Sequence, residues 1–268
     1  MDVVSLGFRT DLMLLEMQGS SVTDRGDHLV VRTAENPGYR WGNFLLLEKA
    51  PGPGEVERWV DVFRREFPRA GHVAIGVDGV DGELGTPDEW RAAGLSVERG
   101  TVLTAGALRE PRRGISLDVE IRELDGDPDW AAALELRLAV GADLGYAGAE
   151  YGEFAGRKLD AMRRLRERGL GAWFGAFLGG RMVSGLGIFG DGSGIARYQS
   201  VETHPEHRRR GLAGALVHRA GEYARDRLEA RTLVIVADPE YTAIRLYRGL
   251  GFDGTETQVQ LERATPAG

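Results

Sequence analysis

The sequence contains no cysteine, which excludes a disulfide framework, a thiolate nucleophile and a cysteine-based zinc site. Stability has to come from packing. An excess of basic charge is also missing. The chain carries 34 Lys and Arg against 41 Asp and Glu, a formal net charge of −7, whereas binders of the phosphate backbone carry a clustered cationic surplus. Nucleic acid is therefore not expected as a partner. No apolar run reaches membrane-spanning length, and Asp2, Arg9 and Asp11 interrupt the first residues. Neither a membrane span nor a secretory leader is expected, and a cytoplasmic location follows as the default. The sequence has no nucleophile elbow and no P-loop. His28, His72, His207 and His218 show no metal-ligand spacing with nearby carboxylates, so no metal is expected.

What is present is an ordinary globular composition, 42% hydrophobic and 28% charged in 268 residues, enough for one large domain or two modest ones. The polar segment Leu108-Arg-Glu-Pro-Arg-Arg-Gly114 separates two stretches that both read as mixed α/β, which divides the chain into 1–110 and 115–268. In the first half the pattern predicts strands at 12–17, 28–33 and 43–49, a helix over 54–67, a strand at 72–77, a short helix at 86–93 and strands between 95 and 106. Val56, Trp59, Val60, Phe63 and Phe67 form one helical stripe and make the helix the firmest element.

The second half predicts a strand at 117–124, then a helix capped by Asp127 and started by Pro128, with Trp130, Leu134 and Leu138 on one face. A helix over 151–168 follows, whose Arg163, Arg164, Arg166 and Arg168 read as a solvated face. A hairpin over 172–178 and 182–189 comes next, then a strand at 195–203, a helix over 211–228 and a buried-type strand at 233–237.

The stretch from Val201 to Leu216 joins a strand directly to the start of an apolar-faced helix. Such a junction is an anion site, because the first helical turn leaves backbone N–H groups without partners and the helix dipole adds positive potential. Gly211, Ala213 and Gly214 let a ligand approach the backbone, and Arg208, Arg209 and Arg210 add charge at its mouth. A second segment, Asp238 to Phe252, reads as a short helix carrying Ala243, Leu246 and Tyr247, ended by Gly249 to Phe252.

With both segments at this spacing, residues 115–262 resemble the GNAT superfamily of N-acetyltransferases. Arg208-x-x-Gly211-x-Ala213 matches its acetyl-CoA motif, and Ala243-x-x-Leu246-Tyr247-x-x-x-Gly251-Phe252 matches its later motif. The resemblance implies an α/β mixed-sheet acyl-CoA N-acyltransferase fold and acetyl-CoA as cofactor. Strand 195–203 would splay from strand 233–237, with the backbone of Val201 and Thr203 binding the pantetheine arm. The amides from Arg209 through Leu212 to Gly214 would hold the pyrophosphate. The implied activity is acetyl transfer to a primary amine of a small molecule or protein, with Tyr247 as general acid.

Some family members carry a Glu on the strand before the second motif; here that strand, Leu233 to Ala237, has no carboxylate. Glu202 is the best remaining base, with His204, Asp238 or a water chain as alternatives. Glu240 stands where the family often has Asn. A catalytically silent acyl-CoA-binding protein is the competing reading. The first half resembles the later part of the same fold, so a tandem of two GNAT-like halves is expected. Its counterpart loop, Lys49 to Glu55, has two prolines without N–H groups and an added carboxylate, so it is expected not to bind CoA. The run Asn36 to Asn43 reads first as a strand-connecting loop and second as a substrate wall, and its Tyr39, Arg40 and Trp41 are the first places there to look for acceptor contacts. Oligomeric state is not readable.

Overall fold

The structure, a computed structural model, describes residues 1–264. In chain order its elements are α1 (Leu6–Met17), β1 (Ser21–Asp24), β2 (His28–Arg32), β3 (Phe44–Leu47), α2 (Val56–Glu66), β4 (His72–Val77), α3 (Pro87–Ala92) and β5 (Ser96–Ala105). They continue with β6 (Val119–Glu123), α4 (Gly126–Asp143), α5 (Ala149–Glu167), β7 (Gly171–Leu178), β8 (Arg181–Phe189), β9 (Ile195–Thr203), α6 (Leu212–Arg227), β10 (Thr232–Ala237), α7 (Ala243–Gly249) and β11 (Asp253–Ala264). The chain forms two compact units: one holds Met1–Val102, Val236–Tyr241 and the chain from Gly254 on, the other Leu103–Ile235 and Thr242–Asp253. Among the described residues no helix is long and apolar enough to cross a membrane.

The first unit has strand order β1-β2-β3-β4-β11-β5. Its parallel step is β3 to β4, with Leu45 opposite Ile75 and Leu47 opposite Val77, and α2 is the crossover helix. The stripe read from the sequence is the buried one, since Val56, Trp59, Val60 and Phe63 all lie in the core. The last strand of the chain belongs to this unit: β11 runs antiparallel to β4 from Val259 opposite Val77 to Ala264 opposite His72. Val259 and Leu261 on it are buried, each worth about 1.5–3 kcal/mol of apolar burial.

Residues 12–17, expected as a strand, are the end of helix α1 instead. Phe8, Leu12 and Leu15 are buried at helical spacing, and Ser5 caps the helix by accepting from the Phe8 amide. The Glu256 carboxylate accepts from the Leu6 amide at 2.8 Å and from Ser5 Oγ at 3.1 Å. That second cap comes from β11, far along the chain and beyond any local pattern. The strand beside it is β1, which the pattern did not predict.

The second unit has strand order β10-β9-β8-β7-β6. β6 to β9 are antiparallel to one another in sequence, and β10 returns parallel to β9. α6 packs on β7, β8 and β9, α4 on β8 and β9, and α5 on β7. Helix α4 starts at Gly126 after the N-cap residue Asp125, not at Pro128 after Asp127. The nearby Asp129 carboxylate takes the Asp125 amide at 2.8 Å and pairs with Arg122. The buried face of α4 is Trp130, Ala133, Leu136 and Val140, while Leu138 is exposed. The expected stripe of Trp130, Leu134 and Leu138 drifts off this face because a spacing of four exceeds the 3.6-residue turn.

The segment before β6 runs along α6 toward its N-terminus. A Cβ on Gly221 would lie 2.4 Å from Leu108 Cδ1, one on Gly214 would lie 3.9 Å from Pro111, and one on Gly211 would lie 3.2 Å from the carbonyl oxygens of Arg113 and Gly114. Glu110 faces His218 at 3.7 Å between these points. The contacts step along α6 by three or four residues, which is one helix face.

Candidate active site

The β9–α6 connection opens with a 3-10 turn over Pro205–His207, in which His204 accepts from the Glu206 amide. Gly211 is the N-cap of α6 with φ of 84°, a left-handed conformation open to glycine at little cost. Among the described residues, the amides from Arg209 to Gly214 donate to no protein acceptor. Consecutive free amides at a helix N-terminus form an anion cradle, and phosphate oxygens are suitable acceptors. The three arginines of the loop differ in their engagements. Arg208 holds Asp143 at the end of α4 at 2.8 Å and the Thr203 carbonyl at 3.3 Å, so it braces the loop. Arg210 donates to the Glu206 carbonyl at 3.3 Å. Arg209 is exposed with φ of 62°, and its carbonyl accepts from Arg113.

The β9–β10 ladder runs from Ile195 opposite Thr232 to Arg197 opposite Val234. Both strands continue past this point and, among the described residues, no further pairing of one with the other follows, leaving Val201 and Thr203 on a stretch of β9 that has lost β10 as its partner on that side. A register shift against β8 falls here as well, because Gly185 pairs with Glu202 while Gly187 pairs with Gln199. One extra residue on β9 makes a bulge, and Ser200 carries it with φ of 51°. The far side of the strand end is fixed: Ser184 Oγ donates to the Glu202 carbonyl at 2.6 Å, which leaves Thr203 Oγ1 to donate to Ser184 Oγ at 2.8 Å.

Glu202 lies between β9 and α4, where its carboxylate accepts from Arg137. Burial pushes its carboxyl above the usual glutamate range, against the downward pull of Arg137 and Lys158. Tyr247 is buried on α7 and meets the edge of Phe252 at 6.2 Å. Its neighbour Tyr198 donates to the Val217 carbonyl at 2.7 Å, and burial, with Tyr247 nearby, pushes the Tyr198 phenol far above its ordinary value.

The corresponding strand–helix loop of the first unit is chemically different. The Gly52 amide donates to the Glu55 carboxylate at 2.7 Å, and the Gly54 amide donates to both oxygens of Glu89 at 2.9 and 3.0 Å. Pro51 and Pro53 have no amide hydrogen. The groups that would face an anion are taken by carboxylates or missing. Arg40 and Trp41 in this unit both bond the Glu262 carboxylate, at 3.2 and 3.0 Å, while Tyr39 packs partly buried against the core.

His204, Glu206 and His207 bring potential ligand atoms within 4.8 Å of one another, a grouping that the spacing of the histidines did not suggest. Arg181 lies 3.1 Å from His204 Nε2, so a cation already faces that ring. Sequence reading also missed Arg137 and Trp173. The signal for Arg137 was present, since a charged residue occupies the apolar stripe of α4 one turn before Val140.

Residues 145–252 match the model of the Acetyltransferase (GNAT) family. The chain carries a GNAT domain. Solved structures agree along nearly the whole length. A GCN5-related N-acetyltransferase from Kribbella flavida is 18% identical with a TM-score of 0.68, covering 99% of this chain and 97% of that one. A functionally unknown conserved protein from Staphylococcus epidermidis is 12% identical with a TM-score of 0.71, covering 92% and 94%. A tandem GNAT protein from the clavulanic acid biosynthesis pathway is 16% identical with a TM-score of 0.52, covering 98% and 95%. No curated protein matches the sequence. At these identities the structures speak for the fold, a mixed α/β GNAT architecture, and the GNAT domain accounts for the order from α5 to Phe252.

Proposed function

We propose that the chain is an N-acetyltransferase that moves an acetyl group from acetyl-CoA to a primary amine, with a single donor site in its second half and a degenerate GNAT-like first half that binds no CoA. The observation that carries this reading is the run of unpartnered amides from Arg209 to Gly214 beside the point where β9 leaves β10. These residues fit CoA: the amides take the pyrophosphate, Arg209 and Arg210 add positive potential, and the freed edge of β9 at Val201 and Thr203 accepts the pantetheine amides as a strand would.

The donor contributes an activated thioester. The chain's own groups move the protons: Glu202 takes a proton from the attacking amine, and Tyr247 donates one to the departing thiolate as the C–N bond forms and the C–S bond breaks. A carboxyl pushed up by burial is a better match to an amine at neutral pH than an ordinary glutamate, which supports Glu202 in this role.

The absence of a carboxylate from β10, Thr232–Ala237, favours a second reading, an acyl-CoA-binding protein without turnover. Purified protein incubated with acetyl-CoA and panels of small amines, amino acids and peptides distinguishes the two by release of free thiol. Turnover with an amine supports the transferase, whereas CoA binding without turnover on any panel supports the silent binder.

A further inference from the structure

The connector between β5 and β6 reaches the N-terminus of α6 through a series of fixed points. The Arg109 amide donates to the Leu250 carbonyl at 2.8 Å, Glu110 faces His218 at 3.7 Å, and Pro111 comes within 3.9 Å of the Cβ position of Gly214. Arg113 arrives last. Its Cγ lies 3.4 Å from the Cβ position of Gly211, so its stem packs where that glycine has no side chain, and its Nη1 donates to the Arg209 carbonyl.

Arg209 needs such a partner. At φ of 62° it adopts the left-handed conformation that a residue with a Cβ enters only under strain, so its surroundings have to hold it there. The peptide that follows is trans, and in a trans peptide the carbonyl and the N–H point to opposite sides. Drawing the Arg209 carbonyl toward the connector therefore aims the Arg210 N–H away from it, and that N–H belongs to the run that donates to no protein acceptor among the described residues. A charged donor on the carbonyl also polarises the peptide, which makes the N–H a stronger donor.

We propose that Arg113 is a positioning residue for the phosphate cradle: it holds the Arg209 peptide from the carbonyl side, so that the Arg210 amide is presented to phosphate oxygens. The identity of that phosphate ligand rests on the reading of this loop as a CoA site, while the backbone role stands without it.

The test compares Arg113→Met with Arg112→Met in the full chain, the second removing the same charge from the exposed neighbouring residue. In the ligand-free proteins Arg113→Met should displace the Arg209 Cα and Cβ resonances, which report its φ, and Arg112→Met should leave them in place. Unmoved resonances in Arg113→Met, or equal displacement in both variants, overturn the proposal. Arg113→Met should also weaken CoA binding about tenfold, the scale of a lost hydrogen bond from a charged donor. Arg209→Gly relieves the strain at this φ, so in its background Arg113→Met should cost less than roughly threefold. An equal loss in both backgrounds, or an equal loss in Arg112→Met, assigns the effect to charge alone and overturns the proposal. Displaced resonances in a protein whose wild type binds no CoA support the backbone role and count against the CoA reading instead.

Discussion

Arg137 of α4 and Glu202 of β9 form an ion pair in which the carboxyl, despite its cationic partner, is held above the usual glutamate range by burial. If Glu202 is the base it has to be ionised, so kcat/KM should rise with pH through that elevated value. Arg137 lowers the Glu202 pKa, and Arg137→Met should therefore move the rising limb to higher pH. Glu202→Gln should lower kcat by roughly 100- to 10,000-fold and remove the limb. A pH profile of Glu202→Gln that keeps the wild-type limb assigns it to another group.

The same shift has a consequence for stability. A carboxyl whose folded pKa is raised contributes stability that is present below the unfolded value and lost as pH rises through the folded one. The melting temperature of the wild type should fall over this window relative to Glu202→Gln, which keeps an acceptor for Arg137 without titrating. Parallel melting curves across the window would show that Glu202 does not titrate there.

Tyr247 is buried against Phe252, a setting that serves packing and proton donation alike. Tyr247→Phe separates the two, because it keeps the ring and removes the proton. An acid role predicts a fall in kcat of about 100- to 10,000-fold with the CoA dissociation constant nearly unchanged. If kcat holds and only the melting temperature moves, the tyrosine is a core residue.

Gly211 combines a φ of 84° with carbonyl oxygens 3.2 Å from its Cβ position. Gly211→Trp should weaken CoA binding at least tenfold, about 1.4 kcal/mol, and should also lower the melting temperature through backbone strain. Gly54 in the first unit has φ of 81° and open space around it, so Gly54→Trp carries a similar backbone strain at the loop proposed not to bind CoA. It should leave CoA affinity unchanged. Equal losses in both variants would trace the effect to strain rather than to an obstructed cradle.

The parts legible in the sequence were those encoded by neighbours a few residues apart. The stripe of α2, the hairpin of β7 and β8, and the junction from Thr203 to Gly211 all follow from local periodicity or turn chemistry. What stayed hidden depends on distant partners. Helix α1 is capped by Glu256, and β11 completes the sheet of the first unit although its sequence follows the second motif. Glu202 was found as a candidate because β9 was read correctly, but its pairing with Arg137 required α4 to be packed on β9. The small cavity lined by Arg137, Lys158, Trp173 and Ser200 was illegible for the same reason, since its walls come from α4, α5, β7 and β9.

The interleaving changes what truncation can test. β11 is buried between β4 and β5 in the first unit, so a chain beginning at Arg113 would keep β11 without the strands it pairs with. That fragment is expected to aggregate or to be cleaved within 253–264 under limited proteolysis, and an intact, soluble fragment would contradict the pairing.

A single donor site built from the amides of Arg209 to Gly214 can be counted by calorimetric titration of the intact chain with acetyl-CoA. One molecule should bind per chain, and that binding should be lost in Gly211→Trp. Two molecules per chain, or one whose affinity survives Gly211→Trp in a folded protein, would contradict it.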